Sequence, residues 1–304
     1  MTVLVLGGNG FIGSHLVDRL LSDGANVRVF SHSPETFRSS LNSVDYVHGD
    51  FSDNTAVEKA LIGVDAVYHL ISTSLPSSSM SDPVGDIEGN LVNTVRLLES
   101  MRKTGVNRLV YLSSGGTVYG IPQHIPIAET HPQAPISSYG VIKSTIEKYI
   151  SMYHHLYGLN FITLRVSNPY GPRQGHSGVQ GVIGTFLQNI HAGKQIEIWG
   201  DGKIIRDFIS IHDLTDLCVK AAKSDRNGVY NAGVGLGISI LDLLAEISSV
   251  TGLDINPDFK PRRAYDVPEV VLDIAKAKSE FDWAPRVTLR DGLQEYWNWV
   301  GRQT

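Results

Sequence analysis

Tyr139 and Lys143 stand four residues apart in Ser137-Ser138-Tyr139-Gly140-Val141-Ile142-Lys143, at the head of a helix-like stretch running to about Tyr157. On a helix that spacing is one turn, so the two side chains share a face. An ammonium within a few ångströms of a phenol favours the phenolate and draws a group of ordinary pKa about 10 towards neutrality. Such a tyrosine can take a proton from an alcohol while a nicotinamide takes the hydride. By itself the pair is common on amphipathic helices, and it acquires chemical meaning only beside a dinucleotide.

The dinucleotide signal lies at the N-terminus. Gly7, Gly10 and Gly13 follow the apolar run Thr2-Val3-Leu4-Val5-Leu6 and lead into the amphipathic stretch Phe11 to Leu21. Glycines at a strand-to-helix turn let the turn close tightly, let a pyrophosphate approach the backbone and let helix pack on strand. The free N–H groups and positive dipole end of the helix favour the anion.

These groups need a scaffold. Asn26 to Phe30, Val44 to Val47, Val64 to Leu70, Arg108 to Leu112 and Phe161 to Arg165 read as strands with helical patterns between them. The alternation predicts an α/β fold: a doubly wound parallel sheet with ligands at the carboxyl ends of its strands, where strand order reverses. After about Val166 the regularity falls. Residues 1–166 are expected to form the dinucleotide domain, residues 167–304 a smaller substrate lobe, with a segment near 207–232 returning to the first. Ser72 to Ser81 holds six serines and reads as a surface loop.

With 304 residues, 42% of them hydrophobic, and a net charge of −5, the chain has no basic excess for nucleic acid. The single Cys218 excludes an internal disulfide and most thiolate metal sites, and no metal is expected. No apolar run reaches membrane length, and no charged segment precedes a hydrophobic one at the N-terminus. The expected compartment is the cytoplasm.

The chain resembles the extended short-chain dehydrogenase/reductase family, in particular its NAD-dependent nucleotide-sugar epimerases and dehydratases. The resemblance rests on Gly7 to Gly13, His48-Gly49-Asp50, Tyr111 to Gly120, the Tyr139/Lys143 pair, Leu164 to Gly171 and Gly200 to Phe208. It implies a UDP-hexose 4-epimerase in which Tyr139 is the base and Lys143 lowers its pKa and binds the nicotinamide ribose. It further implies that Asp50 meets the adenine, that Asn90 supports Lys143, and that Pro169 lies beside the nicotinamide. Phe11, Ile12, Ser31, His32, Phe51, Leu70 and Ser113 complete the implied cofactor contacts. For the substrate it implies Asn168, Arg206 and Arg263 at the diphosphate and Asp266 at the ribose; forked, permanently charged guanidinium groups suit a pyrophosphate. Gln180, Gly181 and Phe186 are expected either to begin a helix under the uridine or to pack the small lobe. The family's usual homodimer is a four-helix bundle, here from Asn90 to Lys103 and Ser137 to Tyr157, with Val95, Leu98, Ile146 and Ile150 serving either that seam or the core.

Two positions depart from the family pattern. Where the family carries a serine or threonine for the reacting sugar oxygen, this chain has Gly115. Thr117 is expected to substitute, on the same side of an extended segment, with Ser114 the lesser choice. Gly116 and Thr117 in place of acids disfavour a dehydratase. After the second strand comes Ser31-His32-Ser33 instead of an aspartate, so NAD is preferred but NADP stays open through Arg28, His32 and Arg38. Alternatives are an NADPH-dependent 4-keto-sugar reductase, a UDP-glucuronate epimerase or decarboxylase, and a non-catalytic dinucleotide sensor.

Overall fold

Val3, Leu4, Val5 and Leu6 are all fully buried, which requires that the first strand be covered on both faces. A computed structural model describes residues 1–74, 79–175, 181–261 and 267–303. In it β1 (Thr2–Leu6) is the centre of a seven-stranded, wholly parallel sheet with β2 (Asn26–Ser31), β3 (Val44–His48), β4 (Ala66–His69), β5 (Arg108–Ser114), β6 (Asn160–Val166) and, further along the chain, β10 (Gly228–Ala232). The order β3-β2-β1-β4-β5-β6-β10 reverses direction between β1 and β4, which opens a crevice at their carboxyl ends.

The period of two in β1 sends its side chains to two different cores. Val3 and Val5 pack with Leu16, Val17 and Leu20 of α1 (Phe11–Ser22) and with Leu214, Leu217 and Cys218 further along the chain. Leu4 and Leu6 pack with Val57 and Leu61 of α2 (Asn54–Leu61), and with residues of a long helix that begins as α3 (Pro83–Asp86), passes through a π-helical stretch over Ile87–Val92 and continues as α4 (Asn93–Thr104). The same core includes Ile142 and Ile146 of α5 (Ser138–Tyr157). The helix expected to start at Asn90 therefore starts earlier, at a proline in its first turn, where the missing N–H costs nothing.

The second lobe is built on β9 (Ile205–Ser210), which pairs with β7 (Asn168–Tyr170), β11 (Gly237–Ser239) and β13 (Glu269–Val270); β8 (Glu197–Trp199) pairs with β12 (Asp258–Lys260). Helices α6 (Val182–His191), α8 (Ile240–Thr251) and α10 (Leu289–Val300) enclose its core of Tyr170, Phe186, Leu187, Leu243, Ile247, Leu293 and Tyr296. Phe186 thus packs the small lobe. Between β9 and β10, α7 (Ile211–Lys223) lies against α1, while α9 (Ala275–Phe281) covers β10 through the Phe281–Tyr230 ring contact. Cys218, on α7, is a buried hydrophobe whose thiol is pushed up to about 12 by burial.

His15 of α1 is buried, with Nε2 2.8 Å from the Pro172 carbonyl, and burial lowers its pKa to about 4. The unfolded chain, with histidine at 6.5, takes up the proton first as pH falls, so this contribution to stability is complete above 6.5 and is lost down to about 4. His69, lowered by burial to about 3, acts in the same sense. The urea midpoint is expected to drop between pH 6.5 and 4, and His15→Gln to flatten that drop. An identical pH dependence in the variant would show that His15 plays no part.

Candidate active site

The glycine turn closes as its residue types demand. Gly7 adopts φ 83°, and the Gly10 N–H donates to the Gly7 carbonyl at 3.1 Å. A Cβ on Gly13 would lie 2.2 Å from the Gly7 oxygen and 2.7 Å from the Gly8 Cα, so only glycine permits this approach of helix to strand. Gly10 caps α1 without a side-chain bond, leaving the first-turn N–H groups for an anion. Phe11 and Ile12 are the first two helical residues, partly buried against the core. Leu70 and Ile71, just past β4, lie against Gly7, so the turn sits at the sheet's switch point. A diphosphate fits this cradle.

At the end of β2, Ser31 is buried and His32 exposed. Arg28 is committed elsewhere: it bonds Asp45 at 2.5 Å and the carbonyls of Ala60 and Ile62. Arg38 pairs with Asp18 of α1. Neither is held in reserve for a 2′-phosphate, which leaves the exposed His32 as the remaining basic group on which NADP rested. Asp50 is exposed and accepts the Ser52 N–H and hydroxyl, bonds that hold its carboxyl below the usual range. Phe51 packs its ring against His69 at 5.1 Å.

Ser137 caps α5 by accepting the Gly140 N–H, and one turn of helix brings Tyr139 and Lys143 together. Lys143 is buried, its Nζ 5.5 Å from the centroid of the Tyr139 ring and 4.9 Å from that of Tyr111, donating to the Leu112 carbonyl at 3.0 Å. Burial brings the ammonium down to about 8, against the opposing charges of Glu147 and Asp86. Burial also pushes the Tyr139 phenol up to about 12, opposed by a hydrogen bond with Ser72 and reinforced by Asp86. The Lys143 ammonium is turned to a carbonyl of β5, and burial is the largest influence on the phenol.

Gly115 to Thr117 form a turn, with the Val118 N–H donating to the Ser114 carbonyl at 3.3 Å, so the extended alternation expected for Thr117 is not present. The position a Cβ on Gly115 would take is 2.6 Å from Leu272 Cδ1 and 3.1 Å from the Arg165 carbonyl, so Leu272 fills the space a serine would need. No described atom lies within 4 Å of the corresponding point on Gly116. Thr117 nonetheless stays beside the pair: its carbonyl is 2.7 Å from where a Cβ on Gly140 would sit. Its Oγ1 is buried with no hydrogen-bond partner among the described residues.

Asn90 does not cap a helix. It lies in the π-helical stretch, its carbonyl oxygen accepting the Thr73 N–H at 2.9 Å and its amide donating to the Thr73 hydroxyl and to Asp86. Ser113 gives its hydroxyl to Glu147 at 2.5 Å. The Pro169 carbonyl accepts from Gln174, and the Asn168 amide donates to the Asp207 carbonyl. Arg206, on β9, donates to the Ile205 carbonyl. Gln180, Arg263 and Asp266 lie outside the described residues.

The sequence reading missed a buried network beneath the pair. Glu147, a further turn along α5 from Lys143, accepts from Ser113, from Gln133 at 2.7 Å and from Arg165 at 2.7 Å; Arg165 also donates to Tyr119, which donates to Asn231. The signal was present as a cation in the otherwise uncharged run Phe161 to Val166 and as a carboxylate continuing the Tyr139/Lys143 face.

Residues 3–233 match the NAD dependent epimerase/dehydratase family. The chain is 34% identical over 300 residues to a putative UDP-glucose 4-epimerase of Methanocaldococcus jannaschii, covering 98% of each chain. It superposes on the UDP-glucose 4-epimerase of Thermotoga maritima, solved with UDP-glucose, with a TM-score of 0.95, 33% identity and 100% and 99% coverage. The Thermus thermophilus UDP-glucose 4-epimerase, solved with NAD, gives 0.91, 32% and 99% of both chains. With the glycine turn at the switch point and the Tyr139–Lys143 pair on α5, the chain belongs to the NAD dependent epimerase/dehydratase family.

Proposed function

We propose that this chain is a nucleotide-sugar epimerase that inverts C4 of a UDP-hexose through a 4-keto sugar with bound NAD. The observation that carries the reading is a lysine-paired tyrosine together with a dinucleotide turn at the sheet's switch point, in a chain similar over nearly its whole length to UDP-glucose 4-epimerases. NAD, when bound, supplies the hydride acceptor and returns the hydride.

The chain's own residues do the rest. Tyr139 Oη takes the C4 hydroxyl proton and gives it back, and the Lys143 cation stabilises the phenolate that forms. The orphan Thr117 hydroxyl donates to the keto oxygen. The α1 N-terminus holds the cofactor diphosphate, with Ser31, His32, Asp50, Phe51 and Leu70 around the rest of the dinucleotide. Asn168, Arg206, Arg263 and Asp266 hold the UDP moiety, so binding energy is spent away from the reacting carbon while the hexose turns over. In this division, residues 1–166 serve the cofactor and the later lobe the sugar nucleotide.

The test is incubation of the protein with UDP-glucose, followed by proton NMR and absorbance at the reduced-nicotinamide band. Interconversion of the 4-epimers without net absorbance change is expected. Turnover only with NADPH and a keto sugar would overturn the reading in favour of a reductase.

The homodimer belongs to the same proposal, with a changed seam. Leu98, Ile146 and Ile150 are core residues, whereas Val141, Tyr149, Met152 and Leu156 form an exposed apolar stripe along α5 at helical spacing. Pairing α4 and α5 across a two-fold axis would cover it. Light scattering is expected to give a dimer, and Met152→Glu with Leu156→Glu a monomer; a monomeric parent protein would refute the seam.

A further inference from the structure

Asp86 is 3% exposed, and the described residues supply no ion-pair partner for it. Its Oδ1 accepts from the Ser74 hydroxyl at 2.7 Å and the Asn90 amide at 2.9 Å, and its Oδ2 from the Ser138 hydroxyl at 2.8 Å. One carboxyl group therefore joins three segments: the stretch after β4, the π-helical stretch, and the first residue of α5, next to Tyr139. A π-helical turn inside an α-helix is uncommon and concentrates at functional sites; here it carries Asn90, four residues after Asp86.

A buried carboxyl group without a cation is expensive, so its presence requires a return. The groups around the pair limit what that return is. His69 faces Lys143 from β4 and is held neutral by burial; Tyr111 faces it from β5. Glu147 faces it from α5, but its charge is already matched by Arg165. Asp86 acts electrostatically on both Tyr139 and Lys143 and has no such match among the described residues.

We propose that Asp86 is a positioning residue for the Tyr139–Lys143 pair, tethering the start of α5 to Asn90 and setting a carboxyl group one residue from Tyr139. This rests on the proposed proton chemistry at that pair.

The charge and the tether separate experimentally. Asp86→Asn keeps the size and removes the charge, which lowers the proton affinity of both Tyr139 and Lys143. The acid limb of the kcat–pH profile is expected to move down by about half a unit or more, with kcat about tenfold lower and KM changed less than about twofold. Ser138→Ala leaves the charge and cuts the tether, so kcat is expected to fall about threefold with the acid limb unmoved. A role confined to stability would shift the melting temperature of both variants and leave the limb in place.

A readout without turnover is the 13C resonance of the Tyr139 ζ-carbon, assigned by its loss in Tyr139→Phe. In Asp86→Asn it is expected to begin titrating at lower pH. If the wild-type protein epimerises nothing while this resonance still responds, the reaction assignment falls and the role of Asp86 stands. If Asp86→Asn keeps the wild-type kcat, acid limb and resonance, or Ser138→Ala keeps wild-type kcat, the proposal is overturned. Should Asp86→Asn not fold, Ser138→Ala decides the tether, and an unchanged kcat there overturns the proposal.

Discussion

Tyr139→Phe is expected to lower kcat for epimerisation by about 10²–10⁴-fold, the usual worth of a positioned general base. The change removes one oxygen and leaves the ring that lies beside Lys143, with its Nζ 5.5 Å from the centroid. The glycine turn, formed by β1 and α1, is untouched by the change, so bound NAD, measured after denaturation of the purified protein, should be undiminished. The effect is confined to the proton: with no hydroxyl at this position, nothing else on α5 stands ready to take it. Lys143 lies beside the same ring, but its ammonium is donating to the Leu112 carbonyl and faces Tyr111. A variant within tenfold of wild type would move the base elsewhere and would remove the basis for the mechanism.

Arg165→Met is expected to destabilise the fold by about 3–5 kcal/mol, because it strands Glu147 as an unpaired buried carboxylate. That is a large fraction of the about 5–15 kcal/mol by which domains are ordinarily stable. The side chains of Arg165 and Glu147 are 6% and 4% exposed and meet at 2.7 Å. The substitution also deprives the Tyr119 hydroxyl and the Glu129 carbonyl of a donor. Because Glu147 is on α5, the loss should reach the pair: Tyr139, Lys143 and Glu147 lie on one face, and the Glu147 bonds to Ser113 and Arg165 fix that face against β5 and β6, with Gln133 bonding it from the segment before α5. Replacing both members, Arg165→Met with Glu147→Leu, should recover most of the stability, since an apolar pair of similar volume carries no stranded charge. Urea midpoints of the two single variants and the double variant make the cycle. A cost below about 1 kcal/mol for Arg165→Met would show that water reaches Glu147 and that the pair is not the anchor of α5.

Local rules were sufficient where a residue type has one physical use. The glycines of the first turn, the cap at Ser137 and the one-turn spacing of Tyr139 and Lys143 are short-range constraints, and a chain of this sequence shows them without reference to its fold. Alternating strand and helix patterns likewise pointed to a parallel sheet with its ligand crevice at the carboxyl ends, because strands joined by helical crossovers pair in parallel with helices over both faces. What needed the tertiary structure were the competitions between distant groups. Arg28 is taken by Asp45 on the neighbouring strand, Leu98 and Ile146 by the core, and the space at Gly115 by Leu272, more than 150 residues away. The extended segment expected at Thr117 is a turn because its backbone bonds close locally between Ser114 and Val118. The proton affinities of Tyr139 and Lys143 depend on how much water the fold removes and on where Asp86 and Glu147 come to rest. Spacing along a helix gives proximity; burial, which only the packed structure decides, sets the charge.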